Sequence, residues 1–243
     1  MVRQTTRRPT PSDQPGRSEN RLLAALPRPE RERLLSLTDV VELASGQVLH
    51  EAGEPIAWLY FPLTAVVSLV SQLADGHLME VGTIGSDGVV GLPVALGADS
   101  TPFLATVEVR GRARRMAARV VREESTRGAL KAVLDRYAQA LLTQTAQWAA
   151  CNRLHPIDQR CARWLLLTHD QRQADRFPLT HEMLAQKLGA RRPSVTTAAR
   201  KLQHAGLIRY SRGRITVLDR VGLEAASCDC YRIVRGEYER LLG

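Results

Sequence analysis

The chain lacks any long hydrophobic run. No stretch approaches the roughly 20 apolar residues that a membrane-spanning helix needs, and the first residues lack the apolar core of a signal peptide. The expectation is a cytoplasmic protein with no membrane partner. Cysteine is scarce, with only Cys151, Cys161, Cys228 and Cys230, too few and too unevenly placed for a disulfide framework in the cytosol. Cys228-Asp229-Cys230 offers half of a soft metal site, but no second Cys/His pair lies near it in sequence, and His181 and His204 are too scattered to complete it. These thiols therefore read as structural, with no metal site. Catalytic signatures are missing too: there is no GxxxxGK[ST], no GxSxG, no HExxH and no paired-carboxylate segment. Gly82–Gly97 is glycine-rich but has no lysine to serve a phosphate cradle. The expectation is a protein that is not an enzyme.

Positive charge is abundant, and it is concentrated. The formal net charge is +9, and between Arg153 and Arg220 stand 14 Lys and Arg against 5 Asp and Glu, which accounts for the whole excess. A basic C-terminal third beside a charge-balanced remainder fits a DNA reader joined to a sensor. Within it, PLTHEMLAQKLGARRPSVTTAARKLQHAGLIRYSRGRITVLD (Pro178–Asp219) predicts a helix, a tight turn, a second helix and a two-stranded ribbon. Thr180 suits an N-cap, and Met183, Leu184 and Leu188 share one helical face. Gly189 stands where the first helix stops and the chain turns, a position that favours φ > 0. Arg191, Arg192 and Pro193 open the second helix, where proline is tolerated. Val195, Ala198, Ala199 and Leu202 turn inward, while Arg192, Ser194, Thr196, Thr197, Arg200 and Lys201 face outward or flank. This is a winged helix-turn-helix pattern, whose partner is double-stranded DNA.

The rest of the chain divides by texture, and the fold class is α+β. Residues 1–18, rich in Thr, Pro, Arg and Ser, read as a disordered tail. Residues 19–126 read as a sensor domain, with two short helices at Asn20–Leu26 and Pro29–Leu37. An antiparallel β-roll follows, with strands at Gln47–His50, Trp58–Pro62, Ala65–Leu73, Leu78–Ile84, Ala105–Val109 and Arg112–Met116. Asp75-Gly76 is a hairpin turn signal. Residues 127–152 predict one long helix whose Leu130, Leu134, Tyr137, Leu141 and Trp148 make a narrow apolar seam, interrupted by Gln144, that suits dimerisation. Residues 153–243 complete the DNA-binding domain, with helices at Ile157–Gln171 and, after the ribbon, Leu223–Leu242.

The order of these parts resembles the cAMP receptor protein/fumarate–nitrate regulator (CRP/FNR) superfamily from about Asn20 to Asp219. The likeness is most specific in LAQKLGARRPSVTTAARKLQHAGLI followed by RGRITVLD. It implies a bacterial transcription regulator with a cyclic-nucleotide-binding-like β-roll, a dimerisation helix and a winged helix-turn-helix. The implied partners are a second copy of the chain, an inverted-repeat DNA operator, an unidentified small-molecule effector and, as a further candidate, RNA polymerase. The resemblance places Arg192 where members contact guanine, Pro193 where many carry a base-reading Glu, and Thr197 where some carry a second Arg. The operator should therefore differ from the family's best-known half-site. Arg191, Ser194, Thr196 and Arg200 are further candidates for phosphate or base contact, Thr180 for a phosphate near the first helix. Arg209, Arg212 and Arg214 fall on the wing.

The roll departs from the family's nucleotide binders. Those carry a Gly-Glu pair and an Arg-Ser/Thr-Ala stretch that neutralises the cyclic phosphate. Here Gly91 precedes Leu92, and Phe103-Leu104-Ala105-Thr106-Val107 fills the phosphate segment, with Phe103 at the arginine position. A buried phosphate without a cation is costly, so cAMP is not the expected effector. The pocket assigned to Gly91, Leu92, Phe103, Ala105 and Thr106 would hold an apolar or different ligand, or be filled by its own side chains. An iron–sulfur cluster of the family's kind would need cysteines near the N-terminus, and haem an axial ligand such as His50 or His77; neither is expected. Two readings stay open: a roll that senses a ligand, and a roll that is purely structural.

Overall fold

The computed structural model describes residues 19–73, 78–126, 128–172 and 174–243. The expected tail, the Asp75-Gly76 turn, His77 and Arg127 lie outside the described residues. Helix α1 (Arg21–Ala24) starts at Asn20, whose side-chain oxygen accepts from the Leu22 N–H at 3.0 Å. The Asn20 amide also donates to the carbonyls of Pro62 and Gly88, at 3.0 and 2.8 Å. Full burial of this polar side chain is tolerated because its donors and acceptor are matched. Helix α2 (Arg28–Leu35) has Pro29 in its first turn.

Strands β1 (Asp39–Leu43), β2 (Val48–His50), β3 (Trp58–Pro62), β4 (Val66–Gln72) and β5 (Leu78–Ile84) lead to a short helix, α3 (Leu92–Ala95). Strands β6 (Phe103–Val109) and β7 (Gly111–Ala117) and helix α4 (Ala118–Glu124) complete the roll. All its pairs are antiparallel, in sheets ordered β1-β7-β3 and β2-β6-β4-β5. Leu43, Tyr60 and Ala113 of the first sheet meet Val67, Ile84, Ala105 and Val107 of the second in a buried layer. The expected strands Trp58–Pro62 and Leu78–Ile84 have the bounds found. β1 was not expected, because Asp39 and Glu42 break its apolar content, nor were α3 and α4.

Helix α5 (Gly128–Leu154) runs 27 residues. Its spacing suggested a seam for a partner chain, and here the structure corrects the sequence reading. Leu130, Leu134 and Tyr137 are each about 1% exposed within the single chain. They pack with Val133 and Ala140 on Leu22, Leu23, Phe61, Val89 and Met116 of the N-terminal part. A period near 3.5 marks a buried face without saying what buries it.

Helix α6 (Ile157–Arg172), strand β8 (Arg176–Pro178), helices α7 (His181–Leu188) and α8 (Arg192–His204), strands β9 (Ile208–Ser211) and β10 (Arg214–Val217) and helix α9 (Arg220–Ala225) build a second core. Leu165, Leu166, Phe177, Leu184, Val195, Leu202, Ile215 and Leu223 fill it. The ribbon expected to have two strands is a three-stranded sheet, β8-β10-β9. The expected C-terminal helix is broken between α9 and α10 (Cys230–Leu242). α10 also leaves the second core: Tyr231 belongs to it, but Val234, Tyr238 and Leu242 join the core around α5.

The second core leans on the outer face of the four-stranded sheet through a buried ion cluster, and Gln171 of α6 donates to the Thr83 carbonyl of β5 at 3.2 Å. Lys187 of α7 reaches Glu80 of β5, Glu108 of β6 at 3.0 Å and the Ser68 hydroxyl of β4 at 2.9 Å. All three charged side chains are at most 13% exposed. Burial alone would lower the Lys187 pKa, but the charges of Glu80 and Glu108 and their hydrogen bonds outweigh it and hold it above the usual value. Lys187→Met would remove the buried cation that faces both carboxylates. The expected loss is about 3–5 kcal/mol, read by urea denaturation, with the helix-turn-helix part loosening from the roll in small-angle scattering; an unchanged midpoint and scattering profile would contradict the latch.

Candidate nucleic-acid interface and effector cavity

The helix-turn-helix is held in shape by local chemistry. Thr180 caps α7, its hydroxyl oxygen accepting from the Met183 N–H at 3.1 Å; its own proton remains available to a phosphate. Gly189 ends α7 at φ +55°, in the left-handed region that favours glycine. Arg191 stands at the N-cap of α8, with Arg192 and Pro193 in its first turn. Val195, Ala198, Ala199 and Leu202 are buried, as the sequence reading placed them. At the wing tip Arg212 and Gly213 have φ of +50° and +71°, the pair of positive values that a type I′ hairpin turn requires.

The outward residues form one basic surface. Arg191, Arg192, Ser194, Thr197 and Arg200 on α8, Arg209 on β9, Arg212 at the tip and Arg214 on β10 are all exposed, as is Thr180. Sequence reasoning missed Arg176, exposed on β8 beside the wing, because a three-residue strand carries no periodic signal. Two hydroxyls serve the fold. Thr197 donates to the Pro193 carbonyl at 3.1 Å. Thr196 is half-buried, and its hydroxyl lies 3.0 Å from Nδ1 of His181, a ring stacked on Tyr210 with centroids 4.2 Å apart. Burial, reinforced by the charges of Arg192 and Arg200, lowers the His181 pKa, so the ring is neutral at pH 7. The start of α8 also faces the roll, where Leu73, Leu78 and Met79 line a groove with Arg191, Arg192 and Pro193.

A separate cavity of about 230 Å³ lies inside the roll. Of the five residues assigned to an effector pocket, Gly91, Leu92 and Phe103 line it, with Leu69, Ile84, Val89 and Leu96. Ala105 is instead buried in the layer between the sheets, and the Thr106 hydroxyl faces the Gln47 carbonyl at 3.5 Å. Among the described residues that line it, none is charged. Its polar side chains are Thr101 and His50, the latter 7% exposed with neither ring nitrogen in a well-formed hydrogen bond. Burial lowers the His50 pKa, and the nearby Phe103 backbone offsets this only in part. Leu141 of α5 lines the cavity and is half-buried within the single chain, and Trp148 packs under the Arg163 guanidinium at 5.4 Å.

Residues 159–226 match the Crp-like helix-turn-helix domain family. Among solved structures, a CRP-family transcriptional regulator from Thermus thermophilus aligns with a TM-score of 0.65 at 21% identity, covering 77% of this chain and 96% of that one. FixK2 from Bradyrhizobium japonicum aligns at 0.65 and 15%, covering 79% and 98%. The c-di-GMP-responsive global regulator CLP of Xanthomonas campestris aligns at 0.62 and 16%, covering 76% and 96%. No curated protein matches the chain. The chain therefore has the fold of the CRP/FNR transcription regulators and carries a Crp-like helix-turn-helix domain.

Thr196→Val should cost about 1–3 kcal/mol by leaving a His181 ring nitrogen unpartnered, read by chemical denaturation of the free protein. Undiminished stability together with weakened DNA binding would return Thr196 to the DNA-facing set.

Proposed function

We propose that the chain is a homodimeric, sequence-specific DNA-binding transcription regulator whose roll senses a small, largely apolar effector. The observation that carries the DNA reading is the start of α8. Arg191, Arg192, Pro193 and Ser194 are all exposed at the head of a helix whose opposite face is locked in the core. Arg192 is the base reader, through bidentate hydrogen bonds to guanine O6 and N7. Arg191, Ser194, Arg200, Arg209, Arg212, Arg214 and the Thr180 hydroxyl grip phosphates and set register. Pro193 contributes no base contact and Thr197 only its methyl or hydroxyl, so the operator differs from the family's best-known one.

The dimer reading now rests on the other face of α5. Gln139, Leu142, Ala146, Ala149 and Arg153 are exposed at alternating spacings of three and four, with Leu142 64% exposed and Leu154 73%. Small alanines let two such helices approach closely. A twofold axis along this stripe would present two α8 helices to an inverted repeat whose half-sites lie about 34 Å apart. RNA polymerase stays a candidate partner.

The effector reading rests on the cavity's chemistry. It offers a cyclic phosphate no cation, and its small size and apolar walls suit a compact ligand with one polar group facing His50. The second reading, a roll with no ligand, predicts no thermal shift with any compound. A small apolar effector should raise the melting temperature and change operator affinity, whereas cyclic nucleotides and haem should do neither.

Arg192→Ala should lose about 1–3 kcal/mol of discrimination at one base pair of each half-site, measured by anisotropy titrations against selected operator variants. A chain without sequence preference, unaffected by this change, would overturn the regulator reading. Leu142→Glu should convert the dimer to monomer in analytical ultracentrifugation and weaken binding to the full operator far more than to a half-site. A dimer that survives the substitution would move the interface elsewhere.

A further inference from the structure

Three of the four cysteines converge with a histidine at a point the DNA-reading function does not use. Cys151 lies in the last turn of α5, and His155 follows one helical turn later, its backbone N–H donating to the Cys151 carbonyl at 3.1 Å. Cys228 precedes α10, and Cys230 is its first residue. The three thiols are at most 4% exposed. Cys151 Sγ is 3.5 Å from Cys228 Sγ, Cys230 Sγ is 3.4 Å from His155 Nδ1, and all four ligand atoms lie within 4.8 Å of one another. Sulfurs bound at about 2.3 Å to one tetrahedral ion sit about 3.8 Å apart. The spacing therefore suits a single ion and leaves no room for a multi-iron cluster. The pair that completes the CxC motif is absent from its sequence neighbourhood and comes from 77 residues upstream.

A second observation points the same way. Arg163 on α6 is 4% exposed, and its Nε and Nη1 have no hydrogen-bond partner. Among the described residues it makes no salt bridge, and its guanidinium lies over the Trp148 ring at 5.4 Å. A ring face only partly offsets the desolvation of a buried guanidinium, and a nearby anion is favoured. Three thiolates and a neutral imidazole around a divalent ion carry a net charge of −1, which supplies one. The Gln147 amide, one turn before Cys151, donates to Cys230 Sγ at 3.2 Å, the kind of outer contact that steadies a metal thiolate. Cys161 takes no part: it lies in the second core, where burial pushes its thiol up to about 12.

We propose that Cys151, His155, Cys228 and Cys230 form a tetrahedral Cys₃His site for one zinc ion, which clasps the end of α5 to the start of α10. Zinc suits the donor set, being content with thiolate and imidazole in a closed four-coordinate site and having no redox chemistry of its own. Binding releases the thiol protons to solvent. Because α10 packs on the sensor core while α9 belongs to the DNA-binding core, the ion would pin the segment that joins the two.

The test is the metal content of the full-length protein, purified without added metal or chelator and measured by plasma mass spectrometry, together with cobalt substitution. One zinc per chain is expected, and Co(II) should give the sulfur-to-metal charge-transfer and ligand-field bands of a tetrahedral thiolate site. Cys228→Ser and His155→Ala should lose the metal, and Cys161→Ser should keep it. Gln147→Leu should weaken zinc about 10–100-fold, read by competition with a chromophoric chelator. Wild-type protein that takes up neither zinc nor cobalt, or that holds a Cys151–Cys228 disulfide under reducing purification, would overturn the site. Iron in place of zinc would overturn the choice of metal, and metal lost equally from Cys161→Ser would overturn the ligand set. Should the ligand variants fail to fold, the wild-type cobalt spectrum and the Gln147→Leu competition still decide.

Discussion

One buried face of α5 holds the structure together. Leu130, Val133, Leu134, Tyr137 and Ala140 bring a single helical stripe against the sensor domain on one side and α10 on the other. Each large side chain fully removed from water contributes roughly 1.5–3 kcal/mol before entropy is counted. The fit is close as well as apolar. A Cβ on Gly88 would lie 2.5 Å from the Tyr137 hydroxyl oxygen, so the chain can pass that ring only as glycine. Tyr238 of α10 meets Tyr137 edge-on, with centroids 6.3 Å apart, the arrangement that ring quadrupoles favour.

The attachment of the DNA-binding part to the roll is of another kind. Against the four-stranded sheet it uses Lys187 seated between Glu80 and Glu108, with Ser68 beneath, and a hydrogen bond from Gln171 to the Thr83 carbonyl. The attraction within such a cluster is offset by the desolvation of its charges, so it fixes position more than it adds net cohesion. Polar contacts between domains also release more readily than apolar cores. The molecule thus has one joint built like a core and one built like an encounter. The groove beside the second joint lies against Arg191 and Arg192, at the head of α8.

How much of this was legible in the sequence depended on whether the signal was local. Thr180, Gly189 and Pro193 each enforce a backbone event within a few residues, so the helix-turn-helix could be read in order and in register. Alternation and flanking turn residues marked the strands Trp58–Pro62 and Leu78–Ile84. What failed were inferences about who covers whom. The leucines of α5 advertised a buried face, but the same spacing would serve a partner chain or the chain's own roll. Lys187 looks like any solvated lysine on an amphipathic helix until β5 and β6 are folded beside it. Cys151 and His155, one helical turn apart, were a readable pair. Their distance in sequence from Cys228 hid the match, because nearness along the chain is a poor measure of nearness across an α5–α10 contact. Leu92 and Phe103, picked out together in the sequence, do line one apolar cavity.

Leu141 and Leu142 are consecutive residues of α5, turned about 100° from each other around its axis. The first lines the cavity inside the roll, and the second stands 64% exposed on the outer stripe. No loop, hinge or relay separates them, only one peptide bond in a continuous rod. A molecule filling the cavity and a helix lying along the outside would therefore press on the same few atoms of backbone from two directions. A rotation of the rod that moved one of these side chains would carry the other with it.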